Sequence, residues 1–153
     1  MSVLSSLFHT DGINLNVLAS SKAQAFKDAS QYFAAKFQIP ANTVIEFLNA
    51  REELGSTALG NGVAIPHGRI RGLHQPHAAL IRLKTPIDFG APDGEPVSLL
   101  IFLLVPEKAT QEHLEILSNI AQLLADSQTR TLLQNEPDPE KVRDLICHWE
   151  TLR

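Results

Sequence analysis

The 153 residues contain a single cysteine, Cys147. That excludes an intrachain disulfide and fits a reducing, cytosolic setting. No stretch approaches the roughly 20 consecutive apolar residues that a membrane-spanning helix requires. The longest apolar run, Val97 to Val105, is too short and carries Ser98, so no membrane insertion is expected. Clusters of Lys or Arg are missing and the formal net charge is -4; phosphate-backbone binding needs a concentrated basic surface, so no nucleic-acid partner is expected. Met1 to Thr10 has neither the basic leader nor the apolar stretch of a secretory signal. Gly/Ser-rich linkers, repeats and low-complexity segments are also lacking. These absences together predict one soluble, cytoplasmic domain over 1–153.

With 44% hydrophobic and 20% charged residues, the chain can bury one substantial core. A first helix opens near Ser21, where Ser21 and Gln24 have capping-box spacing, and Phe26, Ala29, Phe33 and Phe37 follow with helical period. Pro40 ends it. A second helix covers Asn42 to Glu53, with Val44, Phe47 and Leu48 on its inner face and Gly55 as its stop. Ala78 to Leu83 alternates as a strand, Gly90 to Pro96 supplies turns, and Val97 to Val105 reads as a central strand apolar on both faces. Thr110 to Asp126 forms a helix with Leu114, Leu117, Ala121 and Leu124 on one stripe. Asp138 and Pro139 open a last helix carrying Val142, Leu145, Ile146 and Trp149. Helices before, between and after strands predict an α/β domain with a central mixed sheet flanked by helices.

The segment Ser56 to Arg69, STALGNGVAIPHGR, differs in kind. A tight turn at Gly60–Gly62 is expected to run into a short strand that ends at His67. Of the six histidines (9, 67, 74, 77, 113 and 148), His67 has the special setting: it follows an apolar stretch and a proline that fixes its approach, between Gly62 and Gly68. Glycines permit unusual backbone angles and close approach of another molecule. Such a segment presents an imidazole at a surface with its backbone held still.

Leu54 to Gly68, LGSTALGNGVAIPHG, resembles the phosphorylation-site motif of the fructose/mannitol/nitrogen-type enzyme IIA family of the bacterial phosphoenolpyruvate-dependent phosphotransferase system. Arg51 and Glu52 upstream, PVSLLIFLLVP (Pro96 to Pro106) and HLEIL (His113 to Leu117) fall in the family's order and spacing. The resemblance covers nearly the whole chain and implies a domain core from about residue 10 to 150. It implies that His67 accepts a phosphoryl group from the phosphohistidine of an HPr-type carrier. It also implies that His113 stabilises the phosphoryl oxygens and that Arg51 offers them a planar cationic fork. A neutral imidazole is a competent nucleophile, and for one nitrogen to attack, the other must hold the proton against a fixed acceptor. A main-chain carbonyl would serve; the sequence does not identify it.

Phosphoryl transfer depends on positioning and electrostatics. Ser56, Thr57 and the amides of the Gly60–Gly62 turn are therefore expected as supporting donors, with plain turn chemistry as the alternative for Thr57. No cofactor and no metal are expected. His74 and His77 form H-Q-P-H, which Pro76 turns into a loop rather than a helical ligand pair. The glycines at 55, 60 and 62 are not a Walker loop, since no Gly-Lys-Ser/Thr follows. Cys147 reads as inert packing, and His9 and His148 as structural or solvated.

Free-standing wording of this kind resembles the nitrogen branch of the family, in which phosphorylation of His67 acts as a switch on which proteins are bound. The other reading is a sugar-specific IIA that relays phosphate to a fructose- or mannitol-type IIB protein. The expected docking face surrounds His67 with Ile65, Ile70 and the start of the His113 helix.

Overall fold

A computed structural model describes residues 3–108 and 110–149. Met1, Ser2, Ala109 and residues 150–153 lie outside the described residues, as do the outer limits expected for the domain. The strands are β1 (Ile13–Val17), β2 (Ala58–Gly60), β3 (Val63–Ala64), β4 (His67–Ile70), β5 (His77–Ile87) and β6 (Val97–Pro106). The helices are α1 (Lys22–Phe37), α2 (Ala41–Glu53), α3 (Gln111–Ala125), α4 (Ser127–Asn135) and α5 (Pro139–His148).

The six strands make one mixed sheet in the order β1-β5-β6-β3-β2, with β4 also on β6. β5 and β6 are antiparallel, whereas β1 runs parallel to β5 and both β3 and β4 run parallel to β6. The expected α/β class and mixed sheet are observed. β6 is the two-faced strand its composition demands. Leu99, Ile101, Leu103 and Val105 join the core under α3, α4 and α5. Leu100, Phe102 and Leu104 join the core under α1 and α2. Every one of these side chains is buried on one face or the other, so β6 is the spine on which both layers pack.

Local chemistry sets the helix ends. The Ser21 hydroxyl accepts the N–H of Gln24 at 3.1 Å, but the Gln24 side chain turns outward to Asp28 at 2.8 Å, leaving only half of the expected capping box. Gln38 closes α1 in the left-handed region at φ 56°. The expected stripe on α3 is rotated: Ile116, Ile120, Leu123 and Leu124 are buried, while Leu114 is exposed. At Asp138 the cap forms as expected, accepting the N–H of Glu140 at 2.9 Å ahead of Pro139. Among the described strands and α-helices, β1, β2, β4 and α4 had no counterpart in the sequence reading.

His67 does not end a strand. The strand from Val63 breaks at Ile65–Pro66, and His67 opens β4. Both halves keep one register against β6, with Ala64 opposite Leu100 and His67 opposite Leu103. Proline has no N–H to give the ladder, which is why the interruption falls there. The Pro66 carbonyl accepts the N–H of Leu103 at 3.0 Å and so splices the halves. His77 is likewise no loop residue: it opens β5 and is buried, its ring stacked on Phe37 with centroids 3.6 Å apart. His74 is exposed in the preceding turn. Among the described residues no helix is long and apolar enough to cross a membrane.

Candidate functional site

β4 brings His67 to the surface between α2 and the start of α3. There a groove of about 600 Å3 is lined by His67, Arg51, His113, Arg69 and an apolar rim of Phe47, Ala50, Leu54, Leu114 and Leu117. α2 reaches β4 closely because residue 68 is glycine: a Cβ there would stand 3.3 Å from the carbonyl carbon and oxygen of Phe47. A methyl group would push α2 away and open the groove floor.

The half-buried His67 ring is held by its own chain. Nδ1 lies 2.8 Å from the carbonyl oxygen of Ile65. A carbonyl can only accept, so Nδ1 carries the proton and Nε2 carries the lone pair. Burial pulls the ring's pKa below the ordinary histidine value, and the Arg51 guanidinium adds to that; the bond to Ile65 and the Glu52 carboxylate oppose it. The net direction is downward, so the ring is neutral at pH 7 with a free Nε2.

His113 enters from α3, where it closes a capping box with Thr110. The Thr110 hydroxyl accepts the His113 N–H at 3.4 Å, and His113 Nδ1 accepts the Thr110 N–H at 3.1 Å. A main-chain N–H can only donate, so the proton of the neutral His113 ring sits on Nε2. Arg51 comes from the last turn of α2 and donates from one terminal nitrogen to the Gly55 carbonyl at 2.8 Å. That bond caps the helix and leaves the other guanidinium donors for an anion. Arg69, two residues beyond His67 on the same face of β4, was not singled out by sequence.

The structure brings together His67, His113 and Arg51 and does not bring the supporting set to them. The Ser56 hydroxyl donates to the Phe89 carbonyl at 2.9 Å, and the Thr57 hydroxyl to Glu52 Oε1 at 2.7 Å. Gly60 and Gly62, at φ 92° and 80°, make the tight turn as expected, but that turn is pinned by Asp93, which accepts the Asn61 N–H at 2.9 Å. None of the four lines the groove. Ile65 and Ile70 are 3% and 1% exposed and so form no docking face. The apolar surface beside His67 consists instead of Leu54, 84% exposed, and Leu114, 55% exposed. Neither was legible as surface, because an exposed leucine breaks the rule by which burial is read from sequence.

Elsewhere, Cys147 is a free, buried cysteine whose thiol pKa is pushed up by burial, as inert packing requires. His9 tilts against Phe37 at 6.0 Å. Among the described residues no group of three His, Cys, Asp or Glu side chains is placed to hold a metal ion.

The family described as phosphoenolpyruvate-dependent sugar phosphotransferase system, EIIA 2, matches residues 6–149. The chain is 43% identical over 133 residues to a nitrogen regulatory protein of Pseudomonas aeruginosa, covering 86% of each. It superposes on the crystal structure of nitrogen regulatory protein IIA-Ntr from Neisseria meningitidis with a TM-score of 0.91 at 42% identity, covering 95% of this chain and 99% of that one. It is also 32% identical to the 2-O-alpha-mannosyl-D-glycerate-specific EIIABC component of Escherichia coli, over 91% of this chain but 22% of that longer protein.

Proposed function

The chain belongs to the EIIA 2 family of the phosphoenolpyruvate-dependent sugar phosphotransferase system, and from that premise we propose that it is a cytoplasmic phosphohistidine carrier whose phosphorylation state is a regulatory signal. His67 is the phosphoacceptor and an HPr-type phosphohistidine protein the donor. The observation that carries this is the 2.8 Å contact from His67 Nδ1 to the Ile65 carbonyl, which leaves Nε2 as the nucleophile in an open groove.

In the transfer, the Nε2 lone pair forms a bond to phosphorus as the phosphorus–nitrogen bond of the donor's protonated ring breaks. The donor ring leaves neutral, and the positive charge passes to the His67 ring. There the proton stays on Nδ1, which donates it to the Ile65 carbonyl, and that bond stabilises the cation. No proton has to move. His113 Nε2–H and the Arg51 guanidinium supply donors for the equatorial oxygens, where charge accumulates in the loose transition state.

The regulatory output is favoured by the relatives of higher identity, which are named nitrogen regulatory proteins. Relay to a IIB protein is the second reading, supported by the sugar-specific relative. Intact mass after incubation with phosphoenolpyruvate, enzyme I and HPr tests the common core: wild type should gain about 80 Da in an acid-labile form and His67→Ala nothing. No gain in wild type would sink the proposal. Onward transfer to a IIB protein in the same mixture would select the relay reading over the regulatory one.

A further inference from the structure

The tautomer of His67 rests on one carbonyl, and that carbonyl is held by a carboxylate outside the groove. Glu52 stands in the last turn of α2 with its side chain 8% exposed. Its two oxygens collect three donors. Oε1 accepts the Thr57 hydroxyl at 2.7 Å, and Oε2 accepts the Thr57 N–H at 3.1 Å and the Lys22 ammonium at 2.8 Å. The Thr57 carbonyl then accepts the N–H of Ile65 at 3.1 Å, and the Ile65 carbonyl accepts Nδ1–H of His67. Glu52 is thus joined to the imidazole by hydrogen bonds that alternate with the main chain of Thr57 and Ile65.

Ile65 and Pro66 fall between β3 and β4, so the Ile65 peptide is not oriented by the regular ladder on β6. The Ile65 N–H bond to Thr57 holds this residue's main chain instead, and Thr57 is itself gripped at two atoms by one carboxylate. A buried carboxylate is tolerated only when its lone pairs are satisfied. Here they are satisfied by Lys22 and by Thr57, whose own carbonyl accepts the Ile65 N–H. The charge of Glu52 also acts on the ring through space, drawing its pKa upward against burial.

We propose that Glu52 is a positioning residue for the phosphoacceptor: through Thr57 it holds the main chain of Ile65, whose carbonyl keeps the His67 proton on Nδ1 and the lone pair on Nε2. Glu52 does not line the groove and does not touch the reacting atoms. The proposal rests on His67 being the phosphoacceptor, but the tautomer is measurable without any transfer.

Glu52→Gln is the discriminating variant. It keeps the shape but offers one carbonyl oxygen to three donors and turns an NH2 group toward the rest. The ring-nitrogen chemical shifts of 15N-histidine-labelled full-length protein report the tautomer, and the amide spectrum reports folding. Wild type should show Nδ1–H; Glu52→Gln should show a mixture with Nε2–H and accept phosphate at least about tenfold more slowly. Thr57→Val, which removes only the hydroxyl, should shift the same way, and Thr57→Ser should recover the wild-type shifts. A folded Glu52→Gln protein with wild-type ring shifts overturns the proposal, even if its transfer rate falls. If that variant does not fold, Thr57→Val decides by the same readout. A tautomer change in a protein whose wild type takes no phosphate would uphold the positioning role and remove the phosphoacceptor reading alone.

Discussion

The main chain holds His67 and His113 in opposite tautomers: Nδ1 of His67 donates to a carbonyl, and Nδ1 of His113 accepts from an N–H. Both rings line one groove, the first with a bare Nε2 and the second with an Nε2–H. These are the two things an incoming phosphoryl group requires, a nucleophile for phosphorus and a donor for oxygen.

The donor role proposed for His113 can be separated from its capping role. His113→Ala should slow phosphate acceptance about a hundredfold and cost about 1 kcal/mol through loss of the cap. Thr110→Val keeps the main-chain N–H that sets the His113 tautomer, so it should carry the stability cost with little kinetic change. Single-turnover rates beside urea unfolding of both variants check this; equal rates for the two would refute the donor role.

The rim leucines should matter to association and not to folding. Leu54→Glu places a charge at the most exposed apolar position beside His67. Stability is expected to stay within about 0.5 kcal/mol of wild type. The KM for the phosphorylated donor should rise with kcat little changed.

Gly68→Ala should act through α2. The added Cβ meets the Phe47 backbone at 3.3 Å, an overpacking that costs about 1–3 kcal/mol. The urea midpoint should fall with an unchanged m-value, and His67 transfer should slow because the groove floor has shifted.

Acid should destabilise this fold before its carboxylates titrate. The pKa values of His67 and His77 are both held down by burial. The unfolded chain thus binds protons that the folded one refuses, and stability rises with pH in that window. The contribution is complete above the ordinary histidine value near 6.5 and is lost as pH falls below it toward the folded values. Urea midpoints between pH 7.5 and 5.5 should trace that loss. His77→Phe, which keeps the stack on Phe37, should flatten part of the slope, and an unchanged slope would count against a neutral buried His77. Phosphate acceptance should titrate with a midpoint below 6.5, because His67 stays a neutral nucleophile there.

What could be read ahead of the structure follows a physical division. Val97 to Val105 announces a spine strand because apolarity on both faces is a local property of the string. Asp138–Pro139 announces a helix start for the same reason. His67 stands out through the glycines and proline around it. The roles of Ser56 and Thr57 were not legible: a hydroxyl's partner is decided by a carbonyl 33 residues away in one case and by a carboxylate five residues away in the other. β1 escaped because an edge strand of five residues gives a weak alternation. α4 escaped because Leu133 is its sole buried residue. The groove's apolar rim was misassigned to Ile65 and Ile70, since burial follows the path of the backbone and not the polarity of the residue.

The strand that breaks at Ile65–Pro66 and resumes in unchanged register ties His67 into the stiffest part of the molecule. Its backbone neighbours Leu103 on β6, and β6 is packed on both sides. A phosphoryl group on His67 would therefore sit on a strand paired to the centre of the sheet. Under the function proposed above, the two states of this protein differ first in charge at that point. A partner that distinguishes its two states does so by sensing charge at a fixed point, with discrimination that fades as salt is raised.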